Sequence, residues 1–274
     1  MTTFAWLKGH GTENDFVILP DPDGTIHGAL DPAFVAALCD RRRGIGADGV
    51  LRAVRAAPGE GGEWFMDYRN ADGSIAEMCG NGVRVFARYL ALEGLVDSSV
   101  PVPVVTRDGV KVVTYDGISI AVDMGIPRLL GESKVVAEGT ARAARHVDVG
   151  NPHAVAFVDD LGEAGTLLVE PEYDAAVYPE GVNIEFVARQ GSRHVAMRVH
   201  ERGAGETRSC GTGAVAVALA TAAADGNDPA RVGDVTYRVD VPGGTLHVTW
   251  RADGHAVLAG PAVIIARGDL TWLG

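Results

Sequence analysis

The strongest constraint on how this chain can fold is an internal repeat. Asn70 to Gly82 reads N-A-D-G-S-I-A-E-M-C-G-N-G, and Glu201 to Gly213 reads E-R-G-A-G-E-T-R-S-C-G-T-G. Each stretch opens on a polar residue, reaches Cys-Gly-x-Gly nine positions later and runs into a helical pattern. The offset between the cysteines, 210 − 79 = 131, also separates Asn70 from Glu201. A chain of 274 residues is long for one core and ample for two domains of about 130 residues each. The repeat therefore predicts two related halves, each delivering one thiol to a shared site. One domain is expected over 1–122 plus 263–274 and the other over 123–262.

Local patterns fill in each half. Lys8 to Leu19 predicts a strand, a polar glycine-containing loop and a second strand from Phe16. Asp31 caps a predicted helix from Pro32 to about Arg41, with proline at its first position. Arg41, Arg42 and Arg43 then form a solvated helix end, favourable to the C-terminal dipole. The loop Gly44 to Gly49 lacks the lysine of a P-loop and the spacing of a dinucleotide fingerprint, so no nucleotide role is expected. Val83, Phe86, Ala87, Leu90 and Ala91 lie on one face of an amphipathic helix. Strands are expected over 102–106, 110–115 and 118–124, with the crossing between halves at 125–140.

The second half repeats this grammar, with strands over 154–158, 182–187, 195–201, 237–241, 245–250 and 255–265. A helix is expected over 162–169. The run Ala214 to Ala224 is apolar on nearly every side, so its sheet should enclose it. The class is α+β: two pseudo-symmetric domains, each a curled mixed or antiparallel sheet wrapped around a central helix.

Charge and cysteine usage exclude several functions. A formal net charge of −12 gives no basic stripe for nucleic acid or an anionic membrane surface. The longest apolar run is too short to span a bilayer, and 1–11 lacks a signal-peptide core, so a cytoplasmic protein is expected. Three cysteines imply no disulfide framework. Cys39 sits in an apolar helical pattern and reads as a small buried hydrophobe. His10 and His200 read as structural. No H-E-x-x-H motif or C-x-x-C pair occurs, so no metal is expected. The lysines Lys8, Lys111 and Lys134 lack the setting of a Schiff-base residue, and no cofactor is expected.

A cysteine just before a helix sits among unpaired backbone N–H groups and the positive end of the helix dipole, which favour the thiolate. Two such thiols at one site suit a symmetric task. One thiolate removes a proton from carbon and the opposite thiol returns one to the other face, inverting a stereocentre. An α-amino acid fits, because both helix starts can bond its carboxylate as the carbanion forms. A thiol–disulfide oxidoreductase fits less well, since its thiols would stand close in sequence.

The stretches His10 to Phe16, Asn70 to Arg84, Gly150 to His153, Gly181 to Asn183 and Glu201 to Ala214 together resemble the diaminopimelate epimerase family, in order and over nearly the whole chain. The resemblance implies a cofactor-independent epimerase interconverting LL- and meso-2,6-diaminopimelate for lysine and cell-wall synthesis, usually as a homodimer. It implies Cys79 and Cys210 as base and acid, and Gly80, Asn81, Gly211 and Thr212 as helix-start donors to the reacting carboxylate. Asn14, Asn70, Asn151, Asn183, Glu201 and Arg202 match the substrate-holding residues, and His153 with Glu201 the pair that adjusts the thiols. Two positions depart from the family pattern. Glu13 stands where many members carry Gly, which implies a changed backbone before Asn14, and Gly49 stands where some carry a substrate-binding Gln. A proline or hydroxyproline racemase shares the two-thiol logic, and a non-catalytic amino-acid-binding protein would share the fold. The set of asparagines and the approach to Cys210 favour an acyclic substrate with a second polar end.

Overall fold

The computed structural model describes residues 2–272. In chain order its elements are β1 (Thr2–Gly11), β2 (Asn14–Pro20), α1 (Pro32–Cys39), β3 (Gly49–Arg55), β4 (Trp64–Asn70), α2 (Gly80–Leu92), β5 (Val102–Thr106), β6 (Gly109–Asp116) and β7 (Ser119–Asp123). There follow β8 (Arg128–Ala137), β9 (Thr140–Asp148), β10 (Pro152–Val158), β11 (Glu172–Tyr173), β12 (Asn183–Gly191), β13 (His194–Glu201), β14 (Gly205–Thr207) and α3 (Gly211–Ala224). The chain ends with α4 (Pro229–Val232), β15 (Val235–Val241), β16 (Gly244–Trp250), β17 (Ala256–Pro261) and β18 (Val263–Trp272). Two compact units result, Met1–Val122 with Gly260–Gly274 and Asp123–Ala259.

The two units are copies of one topology. In the first, β18, β1 and β2 pair antiparallel in turn; β2–β3 is parallel, β3–β4 antiparallel, β4–β5 parallel, and β5–β6 and β6–β7 antiparallel. The second runs β8–β9–β10 antiparallel, β10–β12 parallel, β12–β13 antiparallel, β13–β15 parallel and β15–β16–β17 antiparallel. Each principal helix is the crossover that its last parallel pair requires: α2 joins β4 to β5, and α3 lies between β13 and β15. Six strands of its own unit pack on each helix, β1, β2, β3, β4, β6 and β18 on α2 and β9, β10, β12, β13, β15 and β16 on α3. Both helices are thus cores in themselves, and the fold is the expected α+β class.

Burial follows. Eleven residues of α3 are buried, including Ala214 to Ala222 without a break, as an all-round apolar helix demands. The single-face reading of α2 is too narrow, because Gly80 to Ala87 are all buried, Arg84 and Val85 among them. Other expectations need correcting. Residues 162–169 do not form a helix; a 3-10 turn covers Leu161–Ala164, with Asp160 and Glu163 closing a capping box, and Leu168 and Val169 are exposed. The 125–140 segment is largely strand β8. The run 255–265 breaks at Ala262 into β17 and β18, and β3 and β4 were not anticipated. Helix α1 stops at Cys39 and is capped by Asp40. Arg41 is therefore no helix end: its guanidinium donates to Asp15 and Asp48, while Arg43 donates to Asp40.

Two loops of the first unit are set by backbone chemistry. The amides of Ile45, Gly46 and Ala47 bond the carbonyls of Leu38 and Cys39 at the end of α1, so those N–H groups have protein partners in place of a phosphate. Between β1 and β2, Thr12 and Glu13 both take positive φ, +49° and +63°, the pattern of a two-residue type I′ turn. Glu13 thus adopts the left-handed backbone that glycine favours. Glu13→Gly is expected to stabilise the protein by about 0.5–1 kcal/mol, relief of strain exceeding the added unfolded-state entropy. The check is a higher urea midpoint at unchanged slope; a lower midpoint would mean that the Glu13 side chain more than offsets its strain.

Candidate active site

Both cysteines of the repeat are helix N-caps. Cys79 caps α2 with φ −144°, and Cys210 caps α3 with φ −114°; each Sγ accepts the N–H three residues on, Gly82 N and Gly213 N, at 3.4 Å. Sulfur here replaces the oxygen of the usual Ser, Thr, Asp or Asn cap. It faces the N–H groups that a helix start leaves unpaired, where negative charge is favoured. A side chain at either glycine would crowd the site, Gly213 more severely than Gly82. A Cβ on Gly82 would lie 3.3 Å from the Cys79 Cβ, and one on Gly213 would lie 3.2 Å from the Cys210 Cβ and 2.8 Å from Glu185 Oε1.

The Cys79 half-site is assembled from β2, α2 and the 46–48 loop. Asn14 donates to Asp48 Oδ2 at 2.8 Å, while its Oδ1 accepts from Asn81 Nδ2 at 3.2 Å and lies 3.7 Å from Cys79 Sγ. Asp48 is in turn held by Arg41. Asn81 is buried and its Oδ1 accepts from Arg84 Nη2 at 2.7 Å. Asn70, at the end of β4, accepts from Tyr68 and donates to Ser74 at 3.0 Å each, so it belongs to the turn leading towards Cys79. At Gly49 a Cβ would meet the Arg69 carbonyl at 2.6 Å and the Tyr68 ring at 2.8 Å. The backbone and ring of β4 therefore occupy the space that a side chain at 49 would need.

The Cys210 half-site carries a different set. Cys210 is 6% exposed, and its Sγ lies 3.5 Å from Thr212 Oγ1. Asn151 Nδ2 donates to that hydroxyl at 3.4 Å, and Asn151 Oδ1 lies 2.9 Å from His153 Nε2. The other ring nitrogen, His153 Nδ1, is 2.6 Å from Glu185 Oε1. A continuous relay thus runs Glu185, His153, Asn151, Thr212, Cys210. Glu201, at the end of β13, accepts from Thr207. Asn183 is committed at both ends of its amide, donating to the Pro152 carbonyl at 3.1 Å and accepting Arg202 N–H at 3.0 Å. Arg202 is exposed, with Nη1 on the Glu180 carbonyl at 2.9 Å.

Electrostatics at the Cys210 half-site disfavour the thiolate. Burial pushes the Cys210 thiol well above its ordinary value, and the Glu201 and Glu185 carboxyls push it further, against the Thr212 and Gly213 hydrogen bonds. Burial likewise raises Glu185, with His153 opposing, and raises Glu201, with its Thr207 hydrogen bond opposing. Glu185 is a candidate site residue that sequence reasoning missed. It is fully buried, and its Oε2 has no hydrogen-bond partner among the described residues. The signal was present in V-N-I-E-F-V, where one carboxylate interrupts an apolar strand. No cluster of His, Cys, Asp or Glu suited to a metal ion occurs among the described residues, and none of their helices is long and apolar enough to cross a membrane.

Comparison with known proteins gives the family. The family model described as diaminopimelate epimerase matches residues 6–130 and 145–265. A diaminopimelate epimerase of Streptomyces coelicolor is 57% identical, covering 99% of this chain and 98% of that protein. One of Thermobifida fusca is 51% identical over 97% of each. Among solved structures, a Bacillus anthracis phenazine biosynthesis protein of the PhzF family superimposes with a TM-score of 0.73 at 14% identity, covering 99% of this chain and 100% of the other. A hydroxyproline epimerase from Agrobacterium vitis superimposes at 0.69 with 14% identity, covering 98% and 91%. At such identities the structures speak for the fold.

Proposed function

The chain belongs to the diaminopimelate epimerase family, and from that membership we propose a two-thiol proton transfer at the α-carbon of 2,6-diaminopimelate. The chain is an isomerase of lysine biosynthesis acting on that small molecule. LL- and meso-forms interconvert when one cysteine, as thiolate, takes the α-proton and the other, as thiol, protonates the opposite face. The carbanion's charge spreads into the α-carboxylate, which takes hydrogen bonds from the N–H groups of Gly80, Asn81, Gly211 and Thr212. Asn14, Asn70, Asn151, Asn183, Glu201 and Arg202 hold the substrate, Arg202 offering a two-pronged grip on a carboxylate and Glu201 an acceptor for an ammonium group. His153 and Glu201 adjust the thiols. The enzyme works in the cytoplasm as a homodimer.

One observation carries this reading: both cysteines cap helix starts through their side chains, and at Cys210 two carboxyls, Glu185 and Glu201, act with burial to hold the thiol protonated. An acid–base pair needs two thiols of matched placement, one protonated and one not. The proline-racemase alternative shares only the fold at 14–15% identity, whereas relatives at 51–57% carry the diaminopimelate name. In heavy water, turnover of LL-diaminopimelate is expected to place deuterium at the inverted α-carbon, with a primary isotope effect on the α-deuterated substrate. Inversion without solvent label would remove the proton-transfer mechanism.

A further inference from the structure

Arg84 is fully buried, and no carboxylate pairs with it among the described residues. Its guanidinium donates from Nη1 to the Gly80 carbonyl at 3.1 Å and from Nη2 to Asn81 Oδ1 at 2.7 Å, while Nε has no partner. Both acceptors lie in the first turn of α2, which Cys79 caps. A buried guanidinium is expensive and is normally balanced by a carboxylate. It also keeps its proton: burial draws Arg84 down to about 10, with the Cys79 charge opposing, still well above neutrality. The carboxylates of β2, β4 and the 46–48 loop have other partners. Asp15 binds Lys8 and Arg41, Asp48 binds Arg41, and Asp67 binds Arg52, Arg69 and Arg107. Asn14, whose Oδ1 faces the Cys79 thiol as an acceptor at 3.7 Å, carries no net charge.

The repeat sharpens the point. The residue equivalent to Arg84 at the 131 offset is Val215, buried in α3. One half-site thus carries a buried cation bonded to its helix start, while at the other two carboxyls, Glu185 and Glu201, act on the thiol.

We propose that Arg84 is a positioning residue whose buried positive charge holds Cys79 as the resting thiolate, while its hydrogen bonds fix Gly80 and Asn81 at the helix start. The inference rests on the two-thiol reading but is tested without substrate. At neutral pH the wild-type enzyme is expected to show one thiolate absorbance near 240 nm that Cys79→Ser removes and Cys210→Ser keeps. Arg84→Gln, which retains a donor but no charge, should slow iodoacetamide labelling of Cys79, followed by peptide mass mapping, by about tenfold. Arg84→Lys should stay within about threefold of wild type. Folded Arg84→Gln labelling at the wild-type rate, or Arg84→Lys as slow as Arg84→Gln, would overturn the charge role. Should Arg84→Gln not fold, the absorbance comparison decides, because a signal that survives Cys79→Ser rules the resting thiolate out. Loss of epimerase activity with labelling unchanged would count against Arg84 and leave the two-thiol mechanism standing.

Discussion

Cys79→Ser and Cys210→Ser are each expected to lower kcat for diaminopimelate inversion by about three orders of magnitude, with KM changed by less than about fivefold. A positioned acid or base contributes roughly 10²–10⁴, and a serine hydroxyl is far too weak an acid to be ionised by a helix start. Both residues cap their helices through the side chain, and serine is itself a preferred cap, so the replacements should leave α2 and α3 intact. Circular dichroism and urea midpoints check that directly. The two variants should nonetheless differ. Cys210→Ser leaves the proposed Cys79 thiolate in place, so it should still exchange the α-proton of one stereoisomer with solvent without inverting it. Cys79→Ser should exchange the opposite stereoisomer at most slowly, because the surviving thiol is buried between Glu185 and Glu201 and pushed away from ionisation. Equal exchange by both variants would show that the asymmetry of charge has no kinetic consequence.

What the sequence displayed follows from how local each feature is. Helix α3 and its cap were legible because eleven consecutive positions, Ala214 to Ala224, carry one kind of information. The repeat supplied its counterpart at α2. Strands β3 and β4 were not legible, because Arg52, Asp67 and Arg69 interrupt the alternation that marks a half-buried strand. Their charges cancel only once the chain has folded: Asp67 takes Arg52 at 2.9 Å, Arg69 at 3.0 Å and Arg107. The same reason hid Arg84, whose position off the apolar stripe predicts a solvated face when the helix is considered alone. The sheet that encloses α2 makes it a buried charge. At the Cys210 half-site the direct neighbours, Glu201 and Thr212, were within reach of the repeated motif. Glu185 lies on another strand and joins through His153, a contact across 32 positions.

That missed residue sets the second large effect. Glu185→Ala is expected to cost about 3 kcal/mol of stability, because it leaves His153 without its buried partner, and to lower kcat about a hundredfold through loss of the relay to Thr212 and Cys210. Glu185→Gln keeps an oxygen for His153 Nδ1 while removing the charge, so it should recover most of the stability and only part of kcat. The pH dependence separates charge from shape. Cys210 has its folded value raised, so the stability conferred by its neutral form is fully present below the unfolded thiol value of about 8.5 and is lost as pH rises through the folded value. Removing the Glu185 charge lowers that folded value, because one of the two carboxyls opposing the Cys210 thiolate is gone. The alkaline limb of the activity profile, which belongs to the thiol pair as a unit, should then begin at lower pH in Glu185→Gln than in wild type, with the acid limb shifted less. A purely architectural role for Glu185 predicts lower activity at every pH and an unmoved alkaline limb, and that result would detach Glu185 from the chemistry at Cys210.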